Sequence, residues 1–270
     1  MDAPSEKEIL ASELFTELSS ELRCSVLMSV GRKPAKLSYL ARELDTTVQD
    51  IHRNVNRLMV AGLVRRSEDG KIHLTEYGRL VTKQIPYFIF VKKHEKFFGS
   101  HTLGDIPEKL IQRVGALQNC EFVGSVTASI EKLKKLESGT KKQLRIMVSQ
   151  AWAEEGYIII ELLMHGIQVL SIMGKNTMIP KEIIGSIGKS IEKMAANQKI
   201  QTKMVERVDV ALYISDEEHA AVMFPNTRGE IDMGSIFIGS DQAFYEWCND
   251  LFNHYWEHGG YFDPRRTTVV

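Results

Sequence analysis

Four side chains able to both sort and grip hydrogen-bonding partners, Gln49, His52, Arg53 and Asn56, recur at helical spacing in DTTVQDIHRNVNRLMVAGLV, residues 45–64. Their donor and acceptor patterns match base edges displayed in a major groove, where Arg suits guanine and Asn or Gln suits adenine. The apolar residues Ile51, Val55, Leu58 and Met59 fall on one stripe at about 100° per residue. Gln49, Arg53, Asn56 and Arg57 fall opposite, with His52 at the edge. Thr47 and Asp50 give a Thr-x-x-Asp start signal, with Thr47 as N-cap. Around this stretch Lys36, Arg57, Arg65, Arg66, Lys71 and His73 have the charge to hold phosphates, and Thr47 the hydroxyl to cap the helix.

Other constellations raise other chemistry. HYWEH (254–258) sets His254 and His258 four apart, so one helical face could present both to zinc. A third ligand is required further along, and Asp263 is the sole candidate; a plain helix end is expected. GKS (188–190) would need glycine where Ile183 stands, and Ile184, Ile187 and Ile191 make the segment a core helix. Trp152, Trp247 and Met147, Met164, Met173, Met204, Met223 and Met233 could line a ligand pocket, though such residues more often fill cores. Cys24, Cys120 and Cys248 lie far apart, with no C-x-x-C, which argues against a disulfide framework or a thiolate metal site. No metal and no cofactor is expected.

These residues sit in a chain of 270 residues, 43% apolar and 26% charged, the make-up of a globular protein of one large or two ordinary domains. Net charge is −1. Its distribution is uneven: residues 23–96 hold 15 Lys and Arg against 7 Asp and Glu, a local +8. The first 22 residues carry one basic side chain against six acidic ones, and residues 97–270 carry 18 against 22. MDAPSEKEIL is acidic and lacks the apolar core of a signal peptide, and GYIIIELLMHGIQVLSIMG contains Glu161 and Gly166, so no membrane span and a cytoplasmic location are expected.

The positioning elements follow from pattern. Ser5 and Glu8 form a capping box opening a first helix, a second runs to Gly31, and LSYLAREL (37–44) makes a third. The short connector to the next helix implies a steep crossing, as in a helix-turn-helix. Asp69-Gly70 between short β-type runs marks a hairpin. From Thr75 to Ser100 the pattern is helical and aromatic, with Pro86 kinking or restarting it. Strands are expected over 143–149, 167–173 and 200–207, helices over 151–166 and 180–197, a hairpin pair at 209–215 and 220–224, and a last helix capped by Asp241. Such alternation means an α/β sheet covered by helices.

LARELDTTVQDIHRNVNRLMVAGLVRR…GKIHLTEYG resembles the winged-helix domains of ArsR-like regulators over roughly residues 10–80. The resemblance implies DNA binding; the thiol of metal-sensing members is missing from RELDTT. Residues 95–260, above all VALYISDEEHAAVMFPNTRGEIDMGSIFIGSDQAFYEWCNDLFNHYW, are similar to the middle domain of archaeal methanogenesis-type regulators and, more distantly, to TrmB-type regulators. That likeness implies half of a phospholipase D fold serving as an effector or assembly module. Phospholipase D catalysis needs His-x-Lys-x4-Asp; His94-Glu95-Lys96 is followed at the Asp position by His101, so the activity is expected to be lost.

The expectation is therefore an α+β two-domain chain: a winged helix-turn-helix over 1–76, a linker or dimerisation helix over 77–108, an α/β sensor or assembly domain over 109–262, and a tail over 263–270. Double-stranded DNA, a second copy of the chain and an unidentified small-molecule effector are the expected partners, with no enzymatic activity. The alternatives are a metal- or phosphate-dependent hydrolase carrying a winged helix, and an assembly scaffold that ignores DNA.

Overall fold

The computed structural model describes residues 5–179, 181, 199–216 and 218–269, and the chain divides into two compact units, Met1–Ile85 and Pro86–Val270. In the first, helices α1 (Glu6–Leu18), α2 (Glu21–Arg32), α3 (Leu37–Glu43) and α4 (Val48–Val60) precede a hairpin and α5 (Glu76–Thr82). Ser5 closes a capping box on α1, its N–H donating to Glu8 Oε2 at 2.6 Å. The two-residue strand β1 (Ala35–Lys36) joins the hairpin strands β2 (Val64–Arg66) and β3 (Lys71–Leu74) in an antiparallel sheet of order β1-β3-β2. Leu27 and Val30 of α2, Leu40 of α3, Ile51, Val55 and Leu58 of α4, and Val64 and Ile72 of the sheet form its core.

Two backbone features set the angles here. Asp45 takes a left-handed conformation, φ 46°, between α3 and α4, and Thr46 N–H donates to Ala41 O at 2.9 Å, so α3 ends and the chain turns into α4 within a few residues. Gly78 of α5 packs against the main chain of Leu63; a Cβ there would lie 1.8 Å from the Leu63 carbonyl oxygen. Thr75 ties the same place down, its hydroxyl donating to Gly62 O at 2.6 Å.

The second unit starts with α6 (Ile85–Lys93), α7 (Glu95–Phe98) and α8 (Glu108–Ile111). Pro86 stands in the first turn of α6, where a missing N–H costs nothing, so the helical pattern restarts there. Strand β4 (Glu121–Val123) and helix α9 (Val126–Ser138) lead into β5 (Gln143–Gln150), α10 (Ala153–Met164) and β6 (Gln168–Ile179). Then come β7 (Ile200–Val205), β8 (Ala211–Ser215), β9 (His219–Met223), β10 (Ile236–Gly239), α11 (Gln242–His258), β11 (Gly260–Tyr261) and β12 (Thr268–Val269). The sheet runs β11-β7-β6-β5-β8-β9-β10-β4, with β12 paired to β6. Strands β5, β6 and β7 are parallel, and β8 joins β5 antiparallel.

Both faces of this sheet are covered. Leu212 and Ile214 of β8 join one core with Phe90 of α6, Phe97 of α7, and Phe244, Trp247 and Leu251 of α11. Ala211 and Tyr213 turn the other way, to Leu133 and Leu136 of α9 and Ile159 and Leu162 of α10. All five residues of β8 are buried, as a strand sandwiched between helical layers requires. Phe90 and Phe97, from the aromatic run that the sequence assigns to a linker or dimerisation helix, are core residues of the second unit. The helix expected over 180–197, with its GKS, lies outside the described residues except for Lys181. Among the described residues no helix is long and apolar enough to cross a membrane.

Candidate nucleic-acid interface

Helix α4 is held by its buried stripe and its cap. Ile51, Val55 and Leu58 are at most 1% exposed, while Gln49, His52, Arg53, Asn56 and Arg57 are exposed. Thr47 Oγ1 accepts the Asp50 N–H at 3.1 Å and donates to Asp50 Oδ2 at 2.6 Å. The Thr47 hydroxyl and the Arg53 guanidinium together hold the Asp50 carboxyl below its usual range. Arg53 pairs with Asp50 one turn back yet stays open to solvent, its side chain 77% exposed. Asn56 Nδ2 lies 3.4 Å from the His52 ring nitrogens. The residues that sequence assigns to base edges therefore share the uncovered side of one capped helix.

Arg57 is placed differently from its neighbours. Its Nε donates to both carboxylate oxygens of Glu17 on α1, at 3.0 and 2.9 Å. Glu17 is mostly buried and also meets Arg23 at 3.2 Å. A phosphate contact from Arg57 would have to compete with that pair, a constraint that the α4 sequence alone gives no hint of.

The sheet sorts the remaining basic residues by strand register. Lys36 stands directly across from Lys71, and Arg65 directly across from His73. Lys71 and His73 are two apart on β3, so all four side chains share one face. The opposite face carries Ala35, Ile72, Val64 and Leu74 and closes the core of the unit. Arg66 is paired across from Ile72 and so belongs to the other face from Arg65, exposed at the strand end. The hairpin turn is built by Gly70, φ +78°, and by Asp69, whose carboxylate meets Lys71 Nζ at 2.6 Å and the Ser67 hydroxyl at 2.5 Å. Those contacts, the Lys71 one foremost, drive the Asp69 carboxyl far below the ordinary carboxylate range. Ser67 Oγ also lies 3.1 Å from His73 Nε2.

The constellations with other chemistry are placed as follows. His94 is 6% exposed and packed among Phe90, Phe122 and Phe237, where burial lowers its pKa. His254 and His258 face each other on α11 with ring centroids 4.7 Å apart. Among the described residues no group of three His, Cys, Asp or Glu could hold a metal ion. The three cysteines are free thiols. Trp247 and Met147 are core residues, and Trp247 Nε1 donates to Leu110 O at 2.9 Å.

Sequence reasoning missed helix α9 and also a pair of buried acids, Glu137 on α9 and Glu155 on the expected helix α10, 2% and 6% exposed. A signal was available. Ile130, Leu133 and Glu137 follow at i, i+3 and i+7, and Glu155, Ile159 and Leu162 at i, i+4 and i+7, so each glutamate stands on its helix's apolar stripe.

Comparison with known proteins gives a family model described as HVO_A0114 over residues 20–80, a stretch that runs from the start of α2 into α5. No curated protein sequence matches. Among solved structures, the archaeal chromatin protein TrmBL2, described as showing a novel mode of DNA binding, is 14% identical over 89% of this chain and 93% of its own, with a TM-score of 0.41. NucT from Helicobacter pylori is 13% identical over 53% of this chain and 100% of its own, at 0.39. Nuc from Salmonella typhimurium, a phospholipase D family member, is 13% identical over 53% and 97%, at 0.37. At these identities and scores no function is transferred from any of the three.

Proposed function

We propose that this chain is a sequence-specific DNA-binding transcriptional regulator, with a winged helix-turn-helix in its first unit and an assembly or effector module resembling half of a phospholipase D fold in its second. The observation that carries the reading is α4: a capped helix behind a tight turn, with an exposed side made of Gln, His, Arg and Asn instead of the Glu/Lys pairs that solubility alone would favour. The basic face made by Lys36, Arg65, Lys71 and His73 supports it, since phosphate contacts supply most sequence-independent affinity. In this reading Gln49, His52, Arg53 and Asn56 meet bases, while the sheet residues and Arg66 meet the backbone. Arg57 joins them only when Glu17 lets go. A homodimer would set two copies of α4 about 34 Å apart on successive half-sites. The chain then acts by occupancy, with no catalytic step of its own.

The test is DNA affinity against salt, using the gene's own upstream duplex and a scrambled one. Arg53→Ala is expected to cost about 1–3 kcal/mol on the preferred duplex and to relax preference at one base pair. Unchanged affinity and preference would remove Arg53 from the reading side. Absence of binding to either duplex in low salt would overturn the whole assignment in favour of an assembly role.

A further inference from the structure

The buried acids missed by sequence reasoning lie between α9, α10 and β8, in a place the DNA reading does not use. Glu155 Oε1 accepts the Tyr213 hydroxyl proton at 3.1 Å. Glu137 stands within hydrogen-bonding reach of Glu155, and its Oε1 is buried with no hydrogen-bond partner. The two carboxyls, with Tyr213, Trp152, Leu133 and Ile130, border a cavity of about 10 Å³, the room of one water-sized head. Lys134 and Glu154 line its exposed side, paired with each other at 2.7 Å.

Two carboxyls facing one small, mostly buried cavity cannot both ionise without a positive guest, because the charge repulsion and the lost hydration are both left uncompensated. We propose that this cavity binds the primary ammonium group of a small organic amine, with Glu137 and Glu155 as its acceptors and the Trp152 and Tyr213 rings as its walls. An ammonium head is the size of a water molecule. It donates up to three hydrogen bonds, which the open Glu137 oxygen can receive, and a cation gains further from an aromatic face. A divalent metal suits the place poorly, since it would want more oxygen or nitrogen ligands than two carboxyls and a phenol supply. The inference stands without the DNA reading and fails or survives separately.

The charged and titratable groups around the cavity set its pH dependence. Burial pushes Glu155 up to about 7, and burial and then the neighbouring Glu155 raise Glu137 well above the ordinary carboxylate range, partly countered by Lys134. Lys134 is engaged with Glu154, and burial keeps the Tyr213 phenol protonated. The ammonium needs the ionised acids, so binding is expected to be at least about tenfold weaker at pH 6 than at pH 8, the ratio of ionised fractions for Glu155 alone, with protonation of Glu137 adding to the loss.

Titration calorimetry on the full chain, in an amine-free buffer at constant sodium, tests this with ethanolamine and methylamine as probes. Expected are saturable binding of both amines at pH 8, at least tenfold loss at pH 6, and at least tenfold loss in Glu137→Gln with an unchanged circular-dichroism spectrum. Glu155→Gln serves if the first variant fails to fold. Lack of saturable binding by either amine at pH 8, affinity unaltered by both substitutions, or equal displacement by potassium would each overturn the proposal.

Discussion

Raising the pH from 5 to 8, with no amine present, is expected to weaken the second unit, and the size of the effect follows from Glu155 alone. Its carboxyl titrates at about 7 in the fold and at 4.5 when unperturbed. Below 4.5 both states hold the proton, and stability does not depend on this group. Between 4.5 and 7 the unfolded chain ionises while the folded one does not, so stability falls, and above 7 the loss levels off. Each tenfold step in acidity is worth 1.36 kcal/mol, which makes the accumulated loss about 3 kcal/mol. Glu137, raised in the same direction, adds to it. The assay is urea unfolding followed by tryptophan emission, which isolates this unit because Trp152, Trp247 and Trp256 all lie within it. Glu155→Gln should flatten the curve between pH 5 and 8. A wild-type stability that is level or rising across that window, or a slope unchanged in the variant, would refute the account of two buried acids sharing too little charge compensation.

Two further outcomes are expected. Gly78→Ala should destabilise the first unit by about 2 kcal/mol or more, because its Cβ would overlap the Leu63 carbonyl and backbone must move; circular dichroism through a thermal melt checks this, and an unshifted melt would show that α5 can slide away. Lys71→Ala should weaken binding to all duplexes alike and lower the salt slope by about 1, read from affinities at several salt concentrations; a loss confined to one sequence would argue against a phosphate role.

Much of the first unit could be read from pattern because its determinants are local. The Thr47 cap, the stripe of Ile51, Val55 and Leu58, and the Asp69-Gly70 turn each act within a few residues, and each is where periodicity and turn chemistry put it. Strand β1 escaped notice, since two residues carry no period, yet its register is what aligns Lys36 with Lys71. The Arg57–Glu17 pair spans 40 positions, and no spacing rule links them. In the second unit, the alternation of strands and helices was legible, and so was the β8–β9 hairpin, whose strands pair antiparallel, but the pairing of strands distant in sequence was not. β6 extends past Met173 to Ile179 because β12 and the end of β5 pair with it, a tertiary cause invisible in VLSIMGKNTMI. α9 was overlooked because charged residues dilute its apolar stripe, and Glu137 stands on the stripe itself.

The hydrogen bond from Trp247 to Leu110 and the pairing of β4 with β10 have a consequence for how the chain is made. The first of these contacts joins residues 137 positions apart, and contacts of such long range are slow to form because the loop must close before they return any energy. The first unit has its last strand pairing and its last helix complete by Thr82. During synthesis it can fold while most of the second unit is still inside or just leaving the ribosome. The second unit must hold its phenylalanine-rich α6 and α7 uncovered until β10 and α11 arrive to seal Phe90 and Phe97. The nascent chain thus passes through a period in which one end is native and the next segment is sticky, and chaperone capture of this protein should be concentrated there.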